Sequence, residues 1–212
     1  MEYHEFAKVV QQRIDETLKK LPYSYMADYA MDGVSPRTHM SHFLDPEHLG
    51  CVHIFTLLGV KLGKVIEFDD KTDPPSITFE IYSGKNLSVA KLSLLSPFDV
   101  AMEVTQPYVN TSIIFSVDPV SSHDSVIKVH LFSDKKLAQL LFPLVSGITV
   151  WEDLSYLKQT ESRITEIFNG PVTEHRQLFE LYKNLYDQSI DEWVAQATAP
   201  APRRYQQYHR KM

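Results

Sequence analysis

Six strand-like runs fill the middle of the chain, and they constrain its fold more than any other feature. Each is rich in β-branched and aromatic residues and is bounded by turn-forming residues. The runs cover residues 64–68, 76–82, 87–95, 100–105, 112–117 and 126–132. Connections this short favour antiparallel neighbours, because a parallel crossover needs a much longer segment. The sequence therefore predicts an antiparallel meander.

Helical patterns flank the predicted strands. Apolar residues recur at helical intervals near the start of the chain, around residue 50 and in two closing segments. The predicted helices cover residues 5–20, 41–56, 149–167 and 173–193, with a short extended piece over residues 23–29. Together these elements predict an α+β domain of helix-grip type, in which helices flank one curved antiparallel sheet.

The chain of 212 residues is long enough for one self-sufficient core. We expect a single domain over residues 1–195, with an N-terminal helix within residues 1–21. Residues 196–212 contain the run Ala-Thr-Ala-Pro-Ala-Pro at 197–202 and then turn basic, which predicts a flexible tail. The formal net charge of −6 argues against broad nucleic-acid or membrane-surface binding.

Cysteine usage and hydropathy indicate a cytoplasmic protein. Cys51 is the only cysteine, so the chain forms no intrachain disulfide and no multi-cysteine metal site. The polar, acidic opening residues do not resemble a secretory signal. The most apolar run, residues 140–151, is interrupted by Pro143 and Gly147 and is too short to cross a bilayer, so we expect no membrane span.

One motif suggests metal chemistry. Asp45, His48 and His53 follow the spacing D-x2-H-x4-H. Two neutral imidazoles and one carboxylate leave open coordination positions, which suits non-heme Fe(II) oxygen chemistry. Since His48 and His53 are five residues apart, a regular helix separates them by roughly 140°, so the spacing predicts a distorted helix around Gly50. We interpret the nearby His39 and His42 as surface or capping residues, with a supporting role beside the metal as the alternative.

Residues 43–53 resemble the iron-ligand helix in the catalytic domain of Rieske non-heme iron oxygenases. Residues 151–157 resemble the late helix of that family, whose acidic pair contains the third ligand. Residues 169–186 are similar to the closing segment of the ketosteroid hydroxylase and cholesterol desaturase branch. The resemblance covers residues 40–190, although motifs support only its two ends.

The resemblance implies a role for each matching residue. His48 and His53 would be imidazole ligands of mononuclear iron, and Asp153 the carboxylate ligand, with Glu152 as its rival. Asp45 would be the bridge for electron transfer from a Rieske cluster of a neighbouring subunit in a trimer. The [2Fe–2S] cluster of the family needs two cysteines, so this chain cannot hold it, and a separate Rieske or ferredoxin-type protein would supply electrons in trans.

The sequence thus predicts an iron oxygenase component that hydroxylates, desaturates or demethylates a hydrophobic or cyclic substrate. Two alternatives remain open at this stage. The helix-grip fold also resembles lipid- and sterol-binding proteins of the START and Bet v 1 type, in which a cavity carries an apolar ligand and the three ligand residues need not converge. In the second alternative, the chain is a non-catalytic subunit that pairs with a complete oxygenase.

Overall fold

The fold is described by a computed structural model that covers residues 3–52, 60–162, 166 and 169–198. Within these residues, seven strands form one antiparallel sheet in the order β1-β7-β6-β5-β4-β3-β2. The strands are β1 (Tyr23–Met31), β2 (Lys61–Asp69), β3 (Ser76–Ser83), β4 (Asn86–Ser96), β5 (Asp99–Thr105), β6 (Asn110–Pro119) and β7 (Ser125–Ser133).

The meander expected from the sequence is confirmed, since β2 to β7 pair in chain order. The extended piece near residue 25 is a full strand, β1, which pairs along its length with β7 and forms one edge of the sheet. The α+β class and the helix-grip architecture are also confirmed, because helices pack against this single sheet.

The described helices are α1 (Tyr3–Lys20), α2 (Pro36–Phe43), α3 (His48–Cys51), α4 (Lys136–Glu161), α5 (Gln177–Tyr186) and α6 (Ile190–Thr198). A short 3₁₀ turn, Glu174–Arg176, precedes α5. The single helix predicted over residues 41–56 was wrong, because a turn at residues 44–47 separates α2 from α3. This interruption lies before His48. Helix α3 ends at Cys51, and the distortion around Gly50 stays a prediction, because residues 53–59 lie outside the described residues.

The predictions for the closing helices were also partly wrong. Helix α4 begins at Lys136, thirteen residues before the predicted start, and passes through Pro143. A proline removes one intrahelical hydrogen bond but is tolerated where tertiary contacts hold the helix. The segment predicted as one helix over residues 173–193 is divided between the 3₁₀ turn, α5 and α6.

Side-chain hydrogen bonds hold α4 at several points along its length. The Gln139 side-chain amide donates to the Ser24 carbonyl oxygen at 2.8 Å, and the hydroxyls of Ser146 and Tyr29 share a hydrogen bond at 2.8 Å. Near its other end, Glu161 accepts hydrogen bonds from the Ser35 backbone and hydroxyl. These contacts tie α4 to the edge strand β1 and to the start of α2, so they fix which side of the helix faces the sheet.

The length and composition of residues Lys136–Gln159 in α4 would suffice for a helix that crosses a membrane. The same helix, however, packs on β1 and β7 and buries the carboxylates of Glu152 and Asp153 inside the domain. Only 28% of the most apolar window of this helix is buried, and a single helix of this length and composition is weak evidence for a span.

Candidate metal centre

Helix α2 carries two histidines into the domain. It begins at Pro36, whose missing N–H is unneeded in the first turn, and the Ser35 hydroxyl accepts a hydrogen bond from the Thr38 backbone N–H at 3.2 Å. His39 and His42 are three residues apart and therefore share one side of the helix. Both are buried, so our interpretation of them as surface or capping residues was wrong.

The turn after α2 positions His48. The backbone N–H of Asp45 donates to the carbonyl oxygen of His42, and that of His48 donates to the carbonyl oxygen of Asp45. The Nδ1–H of the His48 ring donates to the same Asp45 carbonyl oxygen. This hydrogen bond assigns the ring proton to Nδ1, so the lone pair lies on Nε2, the tautomer that a metal ligand needs.

Asp153 approaches the two histidines from α4. The Nε2 of His42 lies 2.8 Å from Oδ1 of Asp153, and the rings of His42 and His48 have centroids 3.8 Å apart. One ligand atom from each of the three residues lies within 4.8 Å of the other two. Helices α2, α3 and α4 therefore bring two imidazoles and one carboxylate together, although Asp153 is more than a hundred positions away from both histidines in sequence.

One buried nitrogen of the His42 ring makes no hydrogen bond within the described residues. Its Nδ1 has no hydrogen-bond partner among the residues that the structure describes. Such orphaned buried atoms are rare in folded proteins and often mark a functional site. The donor set also matches the two imidazoles and one carboxylate that bind Fe(II) with open positions. The residues present therefore fit a metal ion.

Asp45 lies at the rim of this group. Its carboxylate lies 3.4 Å from Nε of the buried Arg176, and its Oδ1 accepts a hydrogen bond from the Glu47 backbone. Burial raises the pKa of Asp45, while the Arg176 charge opposes that rise. Glu47 in turn accepts a hydrogen bond from the Thr173 hydroxyl at 2.6 Å. The segment before α5 thus fixes the turn that leads into His48.

His39 is fully buried beside the group. Its ring stacks on Phe43 with centroids 5.9 Å apart, and neither of its nitrogens has a hydrogen-bond partner within the described part of the chain. Burial, assisted by the nearby His42, lowers the pKa of His39 to about 3. His39 therefore stays neutral at physiological pH.

Of the residues singled out from the sequence, His48 and Asp153 are brought together, whereas His53 lies outside the described residues. Glu152 is buried but does not belong to the group of three. Sequence reasoning missed His42 as a member of that group. The sequence does contain a hint, namely two histidines three residues apart on a helix that begins with Ser-Pro. Which face of α2 is buried, however, depends on where α4 packs, and the sequence alone does not show that.

An apolar cavity of about 110 Å³ adjoins this group. His48 and Asp153 line one side of it, and apolar residues from the sheet and helices line the rest. These are Phe43, Leu49, Phe79, Leu92, Met102, Ile113, Phe115 and Val145, together with Pro46 and Thr149. The cavity is somewhat smaller than the ~150 Å³ cavity that holds benzene in an engineered protein core. It has room for a small apolar group next to the proposed ligands.

Comparisons with known proteins support the fold assignment. No family model matches the sequence, and no curated protein matches it either. Solved structures do match: NdmA of Pseudomonas putida CBB5, as its QL mutant with caffeine, superposes with a TM-score of 0.58 at 12% identity. NdmB of the same organism superposes with a TM-score of 0.55 at 11% identity. The quaternary ammonium Rieske monooxygenase CntA, solved with the inhibitor MMV12, gives 0.54 at 11% identity.

These superpositions cover 84% of this chain for NdmA and NdmB and 81% for CntA. The chain spans only a little over half the length of those proteins, 56% of NdmA and NdmB and 51% of CntA. At such low identity the likeness shows a shared fold. The chain is thus similar in fold to about half of a protein that is named a Rieske monooxygenase.

Proposed function

We propose that this protein is a mononuclear non-heme iron oxygenase component that acts on a hydrophobic or cyclic substrate. The observation that carries the proposal is the convergence of His42, His48 and Asp153 beside an apolar cavity. The fold shared with CntA supports it independently. The finer likeness to the ketosteroid hydroxylase and cholesterol desaturase branch depends on sequence motifs alone.

His48 and Asp153 are proposed as two of the ligands, a role that the sequence resemblance implies and that their proximity in the structure supports. The third position belongs to a second imidazole, for which the structure offers His42 and the sequence resemblance offers His53. Ligands of one ion lie roughly 3–4 Å apart, given metal–ligand distances of roughly 2.0–2.2 Å. Small side-chain movements within the 4.8 Å spread of the group would reach that geometry.

Fe(II) bound by this group would supply dioxygen activation, for hydroxylation, desaturation or demethylation. The protein's own residues contribute binding and orientation. The Asp45 carbonyl oxygen fixes the tautomer of His48, and the aromatic and aliphatic lining of the cavity excludes water and receives an apolar group. A substrate carbon that enters the cavity would lie against the same wall as His48 and Asp153.

These 212 residues contain one cysteine and cannot hold a [2Fe–2S] cluster with two cysteine ligands, so electrons would reach the site from a cluster bound outside them. We propose a Rieske or ferredoxin-type donor in trans. Asp45 would be the bridge for electron transfer, since its backbone contacts His48 while its carboxylate stays partly exposed. Arg176 holds that carboxylate within the chain.

Paired variants identify the ligands. Protein reconstituted anaerobically with Fe(II) should hold about one iron per chain, as measured by inductively coupled plasma mass spectrometry. His48→Ala should lose that iron, while His130→Ala, a half-buried strand histidine, should keep it. Comparison of His42→Ala with His53→Ala then assigns the remaining imidazole. Absence of stoichiometric iron in the wild type, or its full retention in His48→Ala, would contradict the proposal.

A second candidate function is the binding of an apolar ligand without metal. It is favoured by the His42–Asp153 hydrogen bond, which gives both groups a partner without any ion. In that case a small aromatic probe of about benzene size should bind equally well to wild type and to His48→Ala, as measured by isothermal titration calorimetry. A loss of binding that accompanies iron removal would instead support the oxygenase.

A further inference from the structure

The outer side of α4 carries a row of large apolar side chains in solvent. Leu137 and Leu140 are each 69% exposed, Leu144 is 63% exposed and Trp151 is 61% exposed. No charged residue lies between Lys136 and Glu152. A helix in a globular domain normally directs charged or polar residues to solvent, so this side of α4 is unusual.

The four exposed residues belong to a heptad pattern that also includes the partly buried Gly147 and Leu154, of which Leu154 packs against the core. Leu137, Leu140, Leu144, Gly147, Trp151 and Leu154 alternate in steps of three and four residues, which is the a/d spacing of helices that pack against another helix. A side chain added at Gly147 would meet nothing within 4 Å, so the row contains a hollow that is open to the outside. We call these six residues the α4 seam.

The exposed surface of the seam and its neighbours is large enough for a stable interface. Leu141, which is 50% exposed, extends the apolar area on one side. The exposed parts of Leu137, Leu140, Leu141, Leu144 and Trp151 amount to roughly 600 Å², which approaches the ~800 Å² that each partner contributes to a standard interface. Monomeric proteins rarely expose an apolar patch larger than a few hundred Å².

We propose that two copies of this chain associate through antiparallel packing of their α4 seams. In antiparallel helix pairs an a position faces a d position, so the seam closes on itself by a two-fold axis near residues 145 and 146. Leu144 then fills the hollow at the partner's Gly147, and Leu140 packs against the partner's Trp151. Leu137 meets the partner's Leu154. The same layers repeat on the other side of the axis, as a self-complementary interface requires.

Parallel packing fits the seam less well. It would place Gly147 opposite the partner's Gly147 and leave a void in the interface, while Trp151 would meet the partner's Trp151. Well-packed interfaces match the density of protein interiors and leave few voids. The alternation of large and small residues along the seam therefore selects the antiparallel arrangement. The proposal is independent of the metal, because Asp153 lies on the opposite side of α4.

Analytical ultracentrifugation of the full chain over a range of concentrations tests the proposal. The wild type should sediment as a dimer at micromolar concentration. Gly147→Leu fills the hollow and should weaken the dimer by about 10-fold or more, because overpacked interfaces are strained. The double variant Leu144→Ala with Gly147→Leu exchanges the large and small partners and should restore dimerisation. Leu87→Ser, which removes an exposed leucine outside the seam, is the control and should leave the dimer intact.

The variants at positions 144 and 147 distinguish a dimer interface from a surface that binds membranes. Binding of phosphatidylcholine vesicles would be strengthened or unaffected by Gly147→Leu, since that change only adds apolar area. A wild type that is monomeric or trimeric at every concentration overturns the proposal, as does a dimer that is unaffected by Gly147→Leu. Circular dichroism checks that each variant is folded, and Leu144→Glu, which places a charge at the centre of the seam, is the second disrupting variant if Gly147→Leu fails to fold.

Discussion

The two sides of helix α4 differ in what they contact. The inner side is buried and tied to its surroundings by specific polar contacts, with Ser146 bonded to Tyr29 and Asp153 bonded to His42. The outer side is as apolar as a protein core, yet it lies in solvent. The comparison teaches that the rotation of α4 is fixed by its polar contacts, because hydrophobicity alone would bury either side. One helix thereby contributes a ligand to the proposed site and leaves an apolar surface available for a second copy.

The largest effect should come from the carboxylate on the inner side. Asp153→Asn should lower iron affinity by about 100-fold or more, because a charged oxygen ligand is lost. Glu152→Gln is the matched control, since Glu152 is its buried neighbour and should have little effect on iron content. Iron titration followed by metal analysis measures both variants. The opposite ranking would make Glu152 the ligand.

Truncation of one leucine on each side of α4 tests the comparison directly. Leu157→Ala on the fully buried side should lower the free energy of unfolding by about 2–5 kcal/mol, as expected for a core cavity. Leu140→Ala on the exposed side should change it by less than about 0.5 kcal/mol at concentrations below dimer formation. Urea denaturation at low protein concentration provides both values. Equal effects would show that the outer side is covered within one chain.

The buried His39 on α2 should make the free energy of unfolding depend on pH. The folded protein lowers the pKa of His39 from its ordinary 6.5 to about 3, so the unfolded chain takes up a proton first as the pH falls. Above about pH 6.5, His39 is neutral in both the folded and the unfolded state and does not lower the free energy of unfolding. As the pH falls from there towards 3, the free energy of unfolding decreases progressively. At pH 5 the loss amounts to about 2 kcal/mol. His39→Leu should remove this part of the dependence in urea denaturation at pH 7 and pH 5. If the free energy of unfolding changes between pH 7 and pH 5 by the same amount in His39→Leu as in the wild type, His39 is not buried in solution.

The smallest effect concerns the turn beside the site. Arg176→Met should lower iron affinity by about 10-fold, because Asp45 and the turn into His48 lose a buried anchor. Arg37→Met is the control, since Arg37 forms its ion pairs with Asp187 and Asp191, away from this turn. Iron titration of the two variants measures the difference. Equal affinities would limit Arg176 to a structural role.

Much of the fold was predictable from local sequence patterns. Strands β2 to β7 were identified because alternating apolar residues and turn clusters mark their bounds, and chain order then gave their pairing. The start of α4 was missed because Pro143 and Gly147 resemble a break, whereas Gln139 and Ser146 hold that part of the helix against β1. Tertiary contacts of this kind leave no mark on local periodicity.

The site was predictable only in part, for a similar reason. His48 and Asp153 stood out by spacing and resemblance, and the structure places both on one cavity wall. His42 did not stand out, because its position depends on the turn at residues 44–47 that separates α2 from α3. A histidine becomes a candidate ligand through its neighbours in space, and those neighbours come from a helix more than a hundred residues away.

Anomalous diffraction at the iron edge, from crystals of the anaerobically reconstituted protein, tests the central claim most directly. The account predicts one strong peak within ligand distance of both His48 and Asp153, with a second imidazole completing the group. A peak at any other position, or no peak beside these two residues in iron-loaded crystals, would contradict it.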